Sequence, residues 1–142
     1  MYIQEWNDRV SNTTDGRLYK MIKDTFEFEN YLHLPKHLRN AISKIRMSSH
    51  IFFIERGRWL NIKRENRKCE ICQTIEDEYH LFIECPRFQN EISKYLPNYL
   101  KERPNMYNFI KFLKTKEETQ QKLLGNISYK LQKEYNKDLL MI

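Results

Sequence analysis

Glycine and proline are scarce in this 142-residue chain, which holds three Gly and four Pro. So few turn formers argue against many short strands joined by tight hairpins and favour helices. No stretch approaches the roughly 18 apolar residues of a membrane-crossing helix, and Met1-Tyr2-Ile3-Gln4-Glu5 does not read as a signal peptide. No membrane partner is therefore expected. Cysteine is also rare, and its count of three is odd. An odd number disfavours a simple disulfide framework and fits a reduced intracellular setting, cytoplasmic or nuclear. The chain has no Gly-rich phosphate loop, no polymerase-like pair of aspartates and no Ser/His/Asp constellation. The expectation is a protein that is not an enzyme.

What is present suits one folded domain with a real core. Hydrophobic residues make up 40% and charged ones 31%, and 17 Phe and Tyr plus two Trp supply core material. The net charge of +6 is concentrated. Residues 36–68 carry 10 basic and 2 acidic side chains, a local +8, while residues 69–142 balance at 11 of each. The sharpest part is Arg56-Gly57-Arg58-Trp59 followed by Lys63-Arg64-Glu65-Asn66-Arg67-Lys68. Cations with an interleaved Trp suit phosphate contacts and base stacking. The bland alternative is a solvated face with Trp59 in the core.

Helical periodicity dominates the chain. Tyr2 to Val10 fits a short helix, Ser11 to Gly16 a turn, and Leu18 to Phe28 is ambiguous. Pro35 is placed to open a helix through Leu38, Ala41, Ile42 and Ile45 to about Met47. Ser48 or Ser49 is expected to cap the next helix, through Ile51 to Ile54, and Gly57 to stop it. Asn61 to Lys68 reads as a basic loop. Asp77 can cap a helix through Tyr79 to Ile83, Pro86 opens another, and a short one follows Pro104. Lys116 to Leu140 forms a long amphipathic helix with Leu124, Ile127, Leu131 and Tyr135 on one face, better suited to core packing than to a partner. Gly125 should weaken it by up to about 1 kcal/mol. The expected fold is mainly α, a small helical domain organised around a Cys/His knuckle. Its parts are an N-terminal helical segment (1–34), a central region (35–100) and C-terminal helices packing on it (101–142).

That centre carries the chemistry. Cys69, Cys72, His80 and Cys85 follow the pattern C-x2-C-x7-H-x4-C, and every cysteine of the chain falls within these 17 residues. Three thiolates and one imidazole are a common tetrahedral set for structural Zn²⁺, and a C-x2-C turn presents two sulfurs to one ion. The bland alternative is buried free cysteines and a core histidine. Four protein ligands close the coordination shell, whereas a catalytic zinc keeps a position open. The order of motifs is also wrong for a nucleobase deaminase, which places H-x-E ahead of P-C-x-x-C. Glu76, Asp77, Glu78 and Glu84 read as helix-start charges, and His33, His37 and His50 as unremarkable histidines. With zinc bound, three thiolates on Zn²⁺ contribute a local −1 and the chain formally carries about +5.

These residues resemble the zinc-binding region at the C-terminal end of non-LTR (LINE-type) retrotransposon reverse transcriptases. The resemblance runs through Arg46-Met47-Ser48-Ser49-His50, Glu55-Arg56-Gly57-Arg58 and Arg67-Lys68-Cys69-x-x-Cys72. It ends in Glu76-Asp77-Glu78-Tyr79-His80 and Cys85-Pro86, and covers roughly residues 38–96. It implies a region that follows a polymerase core and helps it grip template RNA or target DNA, with Cys69, Cys72, His80 and Cys85 as metal ligands. The polymerase and endonuclease residues of such proteins have no counterpart here. The resulting expectation is a non-catalytic, structural-zinc domain that binds nucleic-acid backbone. Arg56, Arg58, Lys63, Arg64, Arg67 and Lys68 would contact phosphates and Trp59 would stack. The rival expectation is a zinc-stabilised protein-interaction module docking through its C-terminal helix.

Overall fold

Pro35 lacks a backbone N–H, which costs nothing at a helix start, and the first described helix follows it directly as α1 (Lys36–Arg46). The computed structural model describes residues 33–140. The expectations for Tyr2 to Phe28 lie outside them. The order continues with α2 (Phe53–Trp59), a 3-10 turn (Arg64–Asn66), a π-helical turn (His80–Glu84) and α3 (Gln89–Ile92). It closes with α4 (Asn98–Glu102), α5 (Met106–Leu113) and α6 (Glu118–Leu140). No strand forms among the described residues; one antiparallel bridge joins Lys68 to Ile75. The fold is mainly α, as expected, and among the described residues no helix is long and apolar enough to cross a membrane.

Helices α1 and α6 form the main seam. Leu38, Ile42 and Ile45 of α1 and Leu124, Ile127, Leu131 and Tyr135 of α6 are all buried in one core. That core extends through Phe52, Phe82, Phe88 and Ile92 to Phe109 and Phe112 of α5. Each such side chain contributes about 1.5–3 kcal/mol of burial energy, so the apolar face of α6 is spent on packing. Gly125 has a reason to be a glycine here, since a Cβ at its position would lie 3.0 Å from Leu38 Cβ. The two helices approach closely there.

Capping explains where the helices end, and it corrects two expectations. Neither Ser48 nor Ser49 caps α2, whose N-cap is Phe52; Ser48 closes α1. Its φ of 56° is left-handed, Ser49 N–H bonds Lys44 O at 2.9 Å, and Ser48 N–H bonds Ile45 O at 3.3 Å. Those two bonds are the Schellman pattern. Gly57 does not stop α2; it sits inside that helix. The stop is Asn61, at φ 60°, with Ile62 N–H on Gly57 O at 2.9 Å and Asn61 N–H on Arg58 O at 3.2 Å. A polar side chain that tolerates the left-handed region does the work assigned to glycine. Gly57 is needed for space, because a Cβ there would meet Arg67 Cγ at 2.6 Å. Elsewhere Asn105 caps α5 by accepting from Asn108 N–H at 2.8 Å. Glu117 caps α6 by accepting from Thr119 and Gln120 N–H at 3.1 and 3.2 Å.

Candidate metal centre and basic surface

Two local devices bring the four donors together. The first is the turn after Cys69: Cys69 N–H bonds Thr74 O and Gln73 N–H bonds Cys69 O, both at 2.8 Å, with Gln73 left-handed at φ 60°. It reverses the chain so that Cys69 and Cys72 face the same point. The second is the π-helical turn. In an α-helix, residues five apart point about 140° away from each other. Here Cys85 N–H bonds His80 O at 2.7 Å, an i to i+5 closure, and the wider turn carries Cys85 back beside His80. Asp77 starts this turn by accepting from His80 N–H at 2.9 Å.

The result is a donor cluster in which one ligand atom each from Cys69, Cys72, His80 and Cys85 lies within 4.8 Å of all the others. Cys69 Sγ and Cys85 Sγ are 3.9 Å apart, close to the roughly 3.8 Å edge of a tetrahedron with metal–sulfur bonds of about 2.3 Å. Cys69, His80 and Cys85 are buried. His80 Nδ1 is held by Thr74 Oγ1 and Glu84 Oε1, each at 3.2 Å. Its Nε2 is buried without a partner among the described residues. A buried imidazole nitrogen with no hydrogen bond, facing three thiols and steered by a carboxylate on the opposite nitrogen, fits a metal ligand. Burial and the charges of Cys85 and Cys69 push the Cys72 thiol up to about 11. Three sulfurs this close oppose joint ionisation, and a cation removes that conflict. These residues could hold one metal ion.

Around the donors lies a buried polar network that sequence reasoning missed. Glu76 and Glu78 are not helix-start charges, being only 4% and 1% exposed. Glu78 Oε2 lies 2.5 Å from His50 Nε2, and His50 Nδ1 accepts from Phe52 N–H at 3.2 Å, so His50 is a buried structural residue. Glu76 accepts from Tyr135 OH, from Arg87 Nη2 at 2.7 Å and from Phe53 N–H at 3.0 Å. Arg87 also reaches Asp138 Oδ2 at 3.1 Å. Burial works against the Arg87 charge, but its hydrogen bond to Cys85 and the Glu76 carboxylate outweigh that and hold it more firmly protonated than usual. Through Glu76 and Asp138 this guanidinium ties the segment just after Cys85 to α6. The C-P-R order after His80 placed it beside the knuckle, but nothing local marked its partners.

The seven residues expected to meet nucleic acid divide into two groups. Arg67 donates to Ile62 O and Ile54 O, both at 2.9 Å. Arg58 pairs with the buried Glu55 at 3.2 Å. Arg56 donates to Tyr135 OH at 3.2 Å and lies over the Phe53 ring. These three guanidiniums are braced within the fold, where desolvated backbone carbonyls and carboxylates claim their donors. Trp59, Lys63, Arg64 and Lys68 stay exposed. Trp59 is 54% accessible, which rules out its placement in the core. No family model, curated protein or solved structure matches the chain.

Proposed function

We propose that the protein is a non-catalytic domain in which Zn²⁺ on Cys69, Cys72, His80 and Cys85 holds the fold, and that it binds nucleic-acid backbone. Zinc is the choice because three thiolates and one imidazole at tetrahedral spacing suit it and leave no coordination position open. The nucleic-acid reading rests on one observation above all. Trp59, Lys63, Arg64 and Lys68 are all exposed and fall within the ten residues that precede the first cysteine. The cations supply phosphate contacts and the indole a stacking surface, a combination that is sequence-tolerant and salt-dependent. The resemblance to the C-terminal region of retrotransposon reverse transcriptases supports the same reading. It makes template RNA or target DNA the partner, alongside the polymerase core of a longer parent protein, in the nucleus or cytoplasm. The rival reading, a partner docked on the amphipathic α6, loses its surface: Leu124, Ile127 and Leu131 are at most 2% exposed.

Metal analysis joined to a salt titration of RNA and DNA binding tests the proposal. One zinc per chain and affinity that falls steeply with salt are expected, weakened further by Lys63→Glu and Arg64→Glu. Undetectable binding to single- and double-stranded nucleic acid at low salt would overturn the binding reading. Persistent folding without metal would overturn the structural-zinc reading.

A further inference from the structure

A second surface stands apart from the basic strip. A hollow of about 510 Å³ opens between α1 and α6, within the range that takes a small ligand or one nucleotide. Helix α1 lends it His37, Asn40 and Lys44, and α6 lends it Tyr129, Lys133 and Asn136. On each helix the three are spaced three or four residues apart, so each set forms one stripe. The buried seam beneath is packed by Leu38, Ile42, Leu124 and Gly125, and these polar side chains lie along its outer edge, where His37 meets Tyr129 across the two helices.

The chemistry of the stripe pair is one-sided. No carboxylate lines the hollow. On α6, Lys130 and Lys137 both pair with Glu134 at 3.3 and 3.4 Å. Among the described residues neither Lys44 nor Lys133 has an ion pair. Two unneutralised ammonium groups in a cleft without acid attract an anion. Tyr129 adds a flat surface: it is 39% exposed, His37 meets its ring at 4.9 Å and 76°, and Lys133 Nζ sits 5.9 Å from its centroid. Asn40 and Asn136 each carry both a donor and an acceptor, as base edges require. Cations for phosphate, an aromatic for stacking and amides for edges together describe a nucleotide rather than a bare anion.

We infer that this groove receives one unstacked nucleotide of a bound single strand, with its base against Tyr129 and its flanking phosphates on Lys44 and Lys133. The inference rests on the nucleic-acid reading above and gives it a strand form. A duplex keeps its bases stacked on one another and cannot place one on Tyr129, whereas a single strand can.

The test uses the full zinc-loaded chain and a labelled single-stranded oligonucleotide, DNA and RNA in turn, in an anisotropy titration across a salt series. Tyr129→Ala should weaken binding at least about five-fold, the lower end for loss of one stacked base. Lys44→Gln with Lys133→Gln should make the slope of log affinity against log salt shallower by about 0.7 for each phosphate that is no longer neutralised. Circular dichroism and zinc content of each variant confirm that the fold is intact. Wild-type affinity and slope in both variants, with Lys63→Glu and Arg64→Glu still weakening binding, would overturn the groove and leave the basic strip standing. Free nucleoside monophosphate binding as tightly as the strand, or polyglutamate of matched charge competing equally, would also overturn it. No binding of any strand by the wild-type chain at low salt would sink the functional reading and this inference together.

Discussion

Replacing Glu76 with alanine removes the one carboxylate on which Arg87, Tyr135 and the start of α2 converge. Three donors lose their acceptor: Arg87 Nη2, the Tyr135 hydroxyl and Phe53 N–H. Glu76 is 4% exposed, so water cannot simply take its place. Breaking a buried, hydrogen-bonded charge pair from one side costs about 3–5 kcal/mol, because the remaining charge is left without its partner. Asp138 still holds Arg87 from its exposed side, which favours the lower part of that range. For a chain of this size the loss corresponds to a fall of about 10–20 °C in Tm, out of a total stability of about 5–15 kcal/mol. Urea unfolding of the zinc-loaded protein measures it. Glu76→Gln keeps an oxygen for Tyr135 and Phe53 while removing the charge, and should cost less. A double-mutant cycle with Tyr135→Phe should return a coupling of about 0.5–3 kcal/mol. A loss below about 1 kcal/mol, additive with Tyr135→Phe, would refute the reasoning, since it would mean that the pair behaves like a surface contact.

The remaining predictions concern other contacts of the same framework. Gly57→Ala should destabilise the protein by about 1–3 kcal/mol in chemical denaturation, although helix propensity alone would stabilise α2 by up to about 1 kcal/mol. The new Cβ meets Arg67 Cγ at 2.6 Å, and Arg67 cannot swing aside without giving up Ile54 O and Ile62 O; a gain in stability would contradict this. Glu84→Ala should weaken zinc binding about 10-fold in competition with a chelator dye, because the carboxylate orients His80. Burial, then the charge and hydrogen bond of Glu76, raise the Tyr135 phenol above its usual value. The unfolded chain therefore ionises first, and stability should be lost as pH rises above about 10. In Tyr135→Phe this alkaline loss should be smaller, and equal losses would count against the assignment.

Patterns confined to one turn or one helix were legible before the structure. The C-x2-C-x7-H-x4-C run named the four donors, and the periodicity of α1, α5 and α6 gave those helices within a residue or two. The seam residues Leu124, Ile127, Leu131 and Tyr135 followed from the same spacing. What stayed hidden depends on partners far along the chain. His50 meets Glu78 across 28 positions and Tyr135 meets Glu76 across 59, and no local rule signals a carboxylate that will be buried. Glu76 and Glu78 therefore read as helix-start charges. Arg67 likewise looked free because its acceptors are backbone carbonyls brought near by folding. Gly57 misled in the opposite direction: a glycine kept for the space that Arg67 fills resembles one kept for a turn. Asn98–Glu102 has only Leu100 buried, so its single turn carried too little pattern to notice.

X-ray absorption at the zinc edge of the purified protein reads the ligand shell itself. One zinc per chain is expected, with three sulfur neighbours at about 2.3 Å and one nitrogen at about 2.0–2.1 Å. An oxygen or nitrogen shell without sulfur, a different sulfur count, or a folded protein with no zinc would contradict it.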